Sequence, residues 1–367
     1  MNIVVLGLTV SSSWGNGHAT LWRALGRALS ARGHRLVFFE RDVPYYAAHR
    51  DGTDFPGIDL RLYTGWADLR GPLSAHLAGA DVAMLTSFCP GGGALARVIG
   101  DAPRPLRVFY DLDTPVTLAK LDAGEAVDYL PADGLGGFDL VLSYTGGRAL
   151  DALRTRLGAR RTAPLYGSVD PAVHHPAEPR EAFAGDLSYL GTFAADRQPA
   201  LERLLVEPAR RAPQRRFVIG GAQYPADFPW TANTFFVRHL PAADHPAFYA
   251  SSPLTLNVTR AAMAAMGTCP SGRLFEAAAC ETAIISDAWE GLDQFFTPGD
   301  ELLVARDAND VLGALQLPRE TLWRVARRAR ERALAEHTAA VRARELEVLL
   351  EGAARATDAA EGLSCSA

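Results

Sequence analysis

Close-spaced cysteine is missing from this sequence. Its four cysteines (Cys89, Cys269, Cys280, Cys365) are scattered along 367 residues, which excludes a zinc knuckle or a disulfide framework and suits a reducing compartment. Long apolar runs are missing too. No stretch approaches the ~20 uninterrupted apolar residues that span a bilayer, so no transmembrane segment is expected. The opening "MNIVVLGL" runs straight into a strand pattern, without a basic stretch, apolar core and cleavage site. A cytoplasmic location is the expectation. Positive charge is not in excess: 37 Lys and Arg face 42 Asp and Glu, for a formal net charge of −5. That balance excludes an electrostatic footprint for nucleic acid. The arginines of "RVARRARERA" (Arg324–Ala333) sit among glutamates at helical spacing, as on a solvated helix face. There is no short-period repeat and no low-complexity tract.

What is present is the composition of a globular protein, 48% hydrophobic and 22% charged, long enough for two ordinary domains. Short runs without polar alternation recur between helical patterns: Ile3–Leu6, Arg35–Glu40, Asp81–Ser87, Leu106–Leu112 and Phe138–Tyr144. Such runs read as parallel strands covered on both faces. Between Ala163 and Gly185 the texture turns to prolines and the adjacent His174 and His175, a linker pattern. The series then restarts with "LSYLGTF", "RFVIGG", "TFFVRHL", "LTLNVTR" and "ETAIISD". The expected fold class is α/β, with two Rossmann-like doubly wound domains facing a central cleft. The expected boundaries are residues 1–165, a linker over 166–184, a second domain over 185–318, a C-terminal helix or helices over 319–350, and a tail over 351–367 whose "TDAAEGLSCSA" reads as disordered.

Loops that follow parallel strands carry the ligand chemistry of such sheets. The first, "SSSWGNGHAT", brings Gly15, Asn16, Gly17 and His18 to the start of a helix. His18 is suited to accept a hydroxyl proton near neutral pH, and its structural alternative is a plain helix-start residue. Asp111 and Asp113 in "YDLDTPVT" end a strand; Asp113 is a second candidate base or, alternatively, a helix cap. The glycine-rich "TSFCPGGGALA" (Thr86–Ala96) is expected to shape an acceptor or diphosphate pocket. In the second half, "PSGRLFEAAAC" reads as a helix start capped by Ser271. Free N–H groups there favour a phosphate, with Arg273 in support. Glu276, one turn on, is placed to accept from a ribose diol. A structural Arg273–Glu276 pair is the alternative.

The segment "PSGRLFEAAACETAIISDAWEGLDQFFTPGDELLV" resembles the donor site of GT-B glycosyltransferases, in particular the CgeB-like (spore-maturation) group. "SSWGNGHAT", "DLDTPVT", "YLGTFAADR", "HPAFYASSPLTLNVTR" and "ERALAEHTAAVRARELE" fit the same resemblance, which spans about residues 1–350. It implies a metal-independent glycosyltransferase with no cofactor beyond a nucleotide-diphospho-sugar, held mainly by the C-terminal domain. Glu276 would take the ribose. Arg273, Ser271, Gly272, Gly191, Thr192, Arg197 and Arg260 would lie on the diphosphate side, and Asn257 would be a sugar contact or a satisfied core amide. The N-terminal domain would face the acceptor, with the C-terminal helix crossing back to pack on it. Many retaining members carry a glutamate eight residues before the ribose glutamate. Thr268 stands there in this sequence, so the resemblance does not assign the stereochemistry.

Three rival readings remain. A nicotinamide-dependent oxidoreductase would use Gly15, Gly17 and Glu40, but Leu8–Trp14 separate Gly7 from the glycine pair and Thr20 replaces the third glycine. A sugar-nucleotide epimerase or a non-catalytic sugar-nucleotide-binding protein would keep the fold and lose the transfer.

Overall fold

The computed structural model describes residues 1–364. The chain forms two compact units, one made of Met1–Tyr166 together with the segment from Ala339 onward, the other of Gly167–Thr338.

The first unit is built on seven parallel strands: β1 (Asn2–Gly7), β2 (Arg35–Arg41), β3 (Ile58–Tyr63), β4 (Val82–Thr86), β5 (Leu106–Asp111), β6 (Leu140–Ser143) and β7 (Thr162–Pro164). They lie in the order β3-β2-β1-β4-β5-β6-β7. The second unit repeats the plan with six: β8 (Leu187–Leu190), β9 (Phe217–Gly221), β10 (Thr234–Arg238), β11 (Leu254–Asn257), β12 (Ala283–Asp287) and β13 (Leu303–Ala305), in the order β10-β9-β8-β11-β12-β13. Both are doubly wound sheets. The winding reverses between β1 and β4 in one and between β8 and β11 in the other, and ligands of such sheets bind beyond the strand ends at that point. The central strands are apolar and buried throughout, as in "VVL" and "VAMLT". Three strands escaped the sequence reading, β3, β7 and β13. All three are sheet edges; β3 ("IDLRLY") carries charge on its open side and the other two are three residues long.

The C-terminal helical stretch breaks in two, Arg319–Glu336 and Ala339–Ser364. At the break, His337 is buried against Phe275 and its Nε2 lies 3.1 Å from the Phe295 carbonyl. Of the stretch expected to be disordered, 357–367, the residues up to Ser364 are helical. The physical reason lies earlier in that helix, where Leu346, Leu350 and Ala353 join the core that holds Trp22, Leu25 and Leu29. Glu347 anchors the same helix, accepting from Arg32 Nε at 2.7 Å and pairing with His34, which together pull its carboxyl down to about 2. Cys365 lies outside the described residues. The proline-rich 166–184 segment is folded against the second unit: the Arg180 N–H donates to Ser251 Oγ at 2.8 Å and Phe183 packs edge-on to Phe248. Among the described residues, no helix is long and apolar enough to cross a membrane.

Candidate functional site

The loop after β1 is closed by its own side chains. Glu40, at the end of β2 and fully buried, accepts from the Val10 N–H (2.7 Å), the Ser11 N–H (2.9 Å), Thr9 Oγ1 (2.9 Å) and Ser11 Oγ (2.6 Å). Its carboxylate is therefore committed to the protein itself. A dinucleotide ribose would find no acceptor there, which removes the residue on which the oxidoreductase reading depended. Asn16 is committed as well. Its Oδ1 accepts from the His18 and Ala19 N–H groups (3.0 and 3.3 Å), and its Nδ2 donates to the Ser12 and Trp14 carbonyls. Asn16 thus caps the helix His18–Ala31, while Gly15 supplies the positive φ (68°) that the turn needs. Gly17 leaves open space around its Cα.

His18 opens that helix with its Nδ1 buried and without a hydrogen-bond partner, and its ring meets Phe88 edge-on at 5.5 Å. Burial lowers its pKa to about 4, so the imidazole is neutral at pH 7. Phe88 holds a left-handed φ of 63°, a conformation costly for an aromatic residue. Asp111 is buried. Its Oδ1 accepts from the Asp113 N–H and Thr117 Oγ1, both at 3.1 Å, its Oδ2 is left without a partner, and burial raises its pKa. Asp113 occupies the N-cap position of the helix Thr114–Asp122, but its side chain makes no capping bond. The glycines of "TSFCPGGGALA" serve a close approach of the chain to itself. A Cβ on Gly93 would come within 2.6 Å of the Leu130 carbonyl, and one on Gly92 within 2.9 Å of Tyr129 Cα. Gly92 and Gly93 are taken up by packing, while a Cβ on Gly91 would meet nothing within 4 Å.

The second unit is built differently at the equivalent place. After β8 the chain passes through Gly191 and Thr192 to Arg197, and after β11 it reaches Arg260 and then the helix Gly272–Ala279. Ser271 is the N-cap of that helix, accepting from the Arg273 N–H, as its sequence predicts. The Arg273 side chain turns away from Glu276 and towards β8. Its Nη1 donates to the Leu190 carbonyl at 2.8 Å and its Nε to Ser271 Oγ at 3.1 Å, so the structural Arg–Glu pair does not form. Arg197 is only 8% exposed; its Nη1 donates to the Thr192 carbonyl at 3.0 Å and to Tyr189 Oη at 3.3 Å, while its Nε has no partner.

Among the described residues neither guanidinium is ion-paired, and each feels the other's surroundings. Burial, then the charge of Arg273, lowers the Arg197 pKa from its ordinary value. Gly191 leaves room between them, because a Cβ there would displace Arg273 Nη1 and lie 2.7 Å from Tyr189 Oη. A buried and a half-buried cation, a glycine between them and a capped helix start are thus grouped at one end of the sheet. Arg260, by contrast, is engaged by Asp196 at 3.1 Å. Asn257 is 2% exposed, donates to Ser286 Oγ at 3.1 Å and leaves its Oδ1 without a partner. Thr268 adopts φ 47° beside Gly291.

Glu276 is half-buried, and among the described residues its carboxylate accepts no hydrogen bond. Next to it stand His174 and His245. One ligand atom from each of the three residues lies within 4.8 Å of the others. The two histidines have their pKa values lowered to about 4 by burial. Neither was singled out as a site residue by the sequence, since His174 sat in an apparent linker and His245 opened "HPAFYASSPLTLNVTR" without a role of its own. An aromatic group made of Phe193, Tyr224, Phe228, Trp230 and Phe236 adjoins the same end of the sheet, with Tyr224 Oη donating to the Gly191 carbonyl at 3.0 Å.

Comparison with known proteins agrees with this architecture. Residues 197–348 match a family model described as glycosyl transferase-like. Comparison of the sequence with curated proteins finds no match. Among solved structures, a sucrose-phosphate synthase from Thermosynechococcus elongatus superposes with a TM-score of 0.74 at 16% identity, covering 97% of this chain and 99% of that one. Anabaena HepE in complex with UDP-glucose gives 0.65 at 14% identity, covering 96% and 100%. The catalytic domain of starch synthase IV from Arabidopsis thaliana, bound to ADP and acarbose, gives 0.67 at 11%, covering 96% and 99%. The chain therefore has the two-unit GT-B fold, and its residues 197–348 match the glycosyl transferase-like family.

Proposed function

We propose that the protein transfers a sugar from a nucleotide-diphospho-sugar to an acceptor, without a metal in the transfer step, and that it belongs to the CgeB-like group. The observation that carries this reading is a pair of guanidiniums without an ion-pair partner among the described residues, Arg197 buried and Arg273 half-buried, on either side of Gly191. A leaving diphosphate develops charge as the glycosidic bond breaks, and fixed cations in a water-poor site stabilise that charge as it forms. Ser271 and Gly272 add the N–H groups of the helix start. Glu276, with no bond of its own to satisfy, takes the ribose hydroxyls, and the aromatic faces of Tyr224 and Trp230 suit a base. HepE and starch synthase IV, structural neighbours solved with UDP-glucose and with ADP, support a nucleotide donor. In the first unit, His18 and Asp113 are the candidates for taking the acceptor proton; His18 is neutral at pH 7 and so has a free lone pair.

The test is calorimetric titration of UDP, GDP, ADP and TDP, followed by a nucleotide-release assay on the corresponding sugars. Glu276→Ala is expected to weaken the preferred nucleotide by tenfold or more, about 1.4 kcal/mol. Release should require an acceptor and should survive EDTA. Unchanged affinity would remove Glu276 from the donor site, and interconversion of the sugar without release would assign an epimerase instead.

A further inference from the structure

The cluster of His174, His245 and Glu276 goes beyond that reading. Its three members come from separate, well-anchored elements. His174 ends a turn closed by its own N–H to the Asp170 carbonyl at 2.8 Å. His245 begins the helix His245–Ala250, and Glu276 lies on the helix Gly272–Ala279. His174 Nε2 is 3.5 Å from His245 Nδ1. That is the outer limit of a hydrogen bond, and the third partner, Glu276, completes no bond with either. His174 Nδ1 is buried and has no partner at all. As a hydrogen-bonded group the cluster is poorly satisfied.

As a ligand set it is well matched. Two nitrogens on one tetrahedral zinc, each ~2.0–2.1 Å from the metal, are ~3.3 Å apart. The observed 3.5 Å fits that spacing. All three ligand atoms lie within 4.8 Å of one another. In the same tetrahedron each nitrogen–oxygen separation is also ~3.3 Å, so the Glu276 carboxylate has to close by at most about 1.5 Å, a movement its three side-chain torsions allow. Asp170 and Asp244 act electrostatically on the two histidines and add negative charge around them.

We propose that His174, His245 and Glu276 form a binding site for a divalent transition metal of the zinc class. Two imidazoles and one carboxylate leave at least one coordination position open and select zinc, cobalt or nickel over magnesium and calcium, which take oxygen ligands. Occupancy withdraws Glu276 from the nucleotide, so metal and donor compete; this consequence rests on the assignment of Glu276 to the ribose.

The experiment uses the full chain without nucleotide, titrated with Co2+ followed by visible absorption and with Zn2+ followed by calorimetry. A single equivalent should bind, and His245→Gln and Glu276→Gln should each weaken it at least tenfold. His174→Gln should do the same, and if that buried substitution unfolds the chain, the other two carry the test. His175→Gln, at the exposed neighbour, should leave binding intact. Absence of Co2+ absorption, or full affinity in His245→Gln and Glu276→Gln, would overturn the site. UDP titrated in the presence of bound Zn2+ tests the competition separately. Undiminished UDP affinity there would overturn the competition and leave the metal site standing.

Discussion

The loops after β1 and β8 occupy the same place in two sheets of the same winding, and they hold opposite charges in opposite ways. In the first unit the buried charge is Glu40, and four donors from residues 9–11 satisfy it completely. In the second the charges are Arg197, buried, and Arg273, half-buried, which donate to carbonyl and hydroxyl oxygens and form no ion pair among the described residues. A folded chain tolerates a buried charge when it is paired or hydrogen-bonded to its surroundings, and an excess of one sign is held for something that arrives from outside. The first loop is a finished structure. The second is an unfinished one, and under the proposed function an anion completes it.

The sharpest way to break this contrast is to remove each charge in turn. Glu40→Ala leaves the Val10 and Ser11 N–H groups buried and unpaired, and should cost about 4 kcal/mol of stability by denaturant unfolding, at ~1–3 kcal/mol for each orphaned group. A loss of a few tenths would mean that the loop is held by other contacts. Arg273→Ala should act on binding, weakening a nucleoside diphosphate about 100-fold, ~2.7 kcal/mol, with little loss of fold. Destabilisation without an effect on binding would make Arg273 a structural donor to Leu190 and nothing more.

The smallest effect concerns His18. His18→Gln should reduce turnover while leaving nucleotide affinity in the second unit intact, and it should also reduce the acid sensitivity of the fold. The folded pKa of about 4 lies below the ordinary 6.5, so the unfolded chain binds the proton first. Stability therefore falls as pH drops from about 6.5 towards 4, by at most ~1.4 kcal/mol per pH unit more in the unchanged protein than in the variant. Parallel curves would show that His18 is not buried in solution.

Much of the second unit was readable because its signals are local. Ser271 caps the helix that "PSGRLFEAA" announces, and Gly191 and Arg197 follow directly on the strand that carries them. The first unit was harder to read. Glu40 resembles the acidic residue of a dinucleotide site until its partners at residues 9–11 are known. Asn16, expected near a sugar, is the cap of its own helix. Gly92 and Gly93 look like part of a cradle and are spaces for residues 128–130. In each case the deciding contact joins segments far apart in the chain, which no local pattern records.

By itself the sequence determined the alternation of buried strands and helices, and with it two doubly wound sheets, because burial of β-branched runs and helical periodicity are properties of neighbouring residues. It also determined which loops carry glycine, arginine and acid. Only the tertiary structure decided which of those charges are already neutralised. It directed Arg273 to β8, set Leu346, Leu350 and Ala353 of the last helix into an apolar core, and brought His174 out of an apparent linker to face His245 and Glu276. The reason is physical: whether a charged group is satisfied depends on the atoms around it in space, and those come from everywhere along the chain.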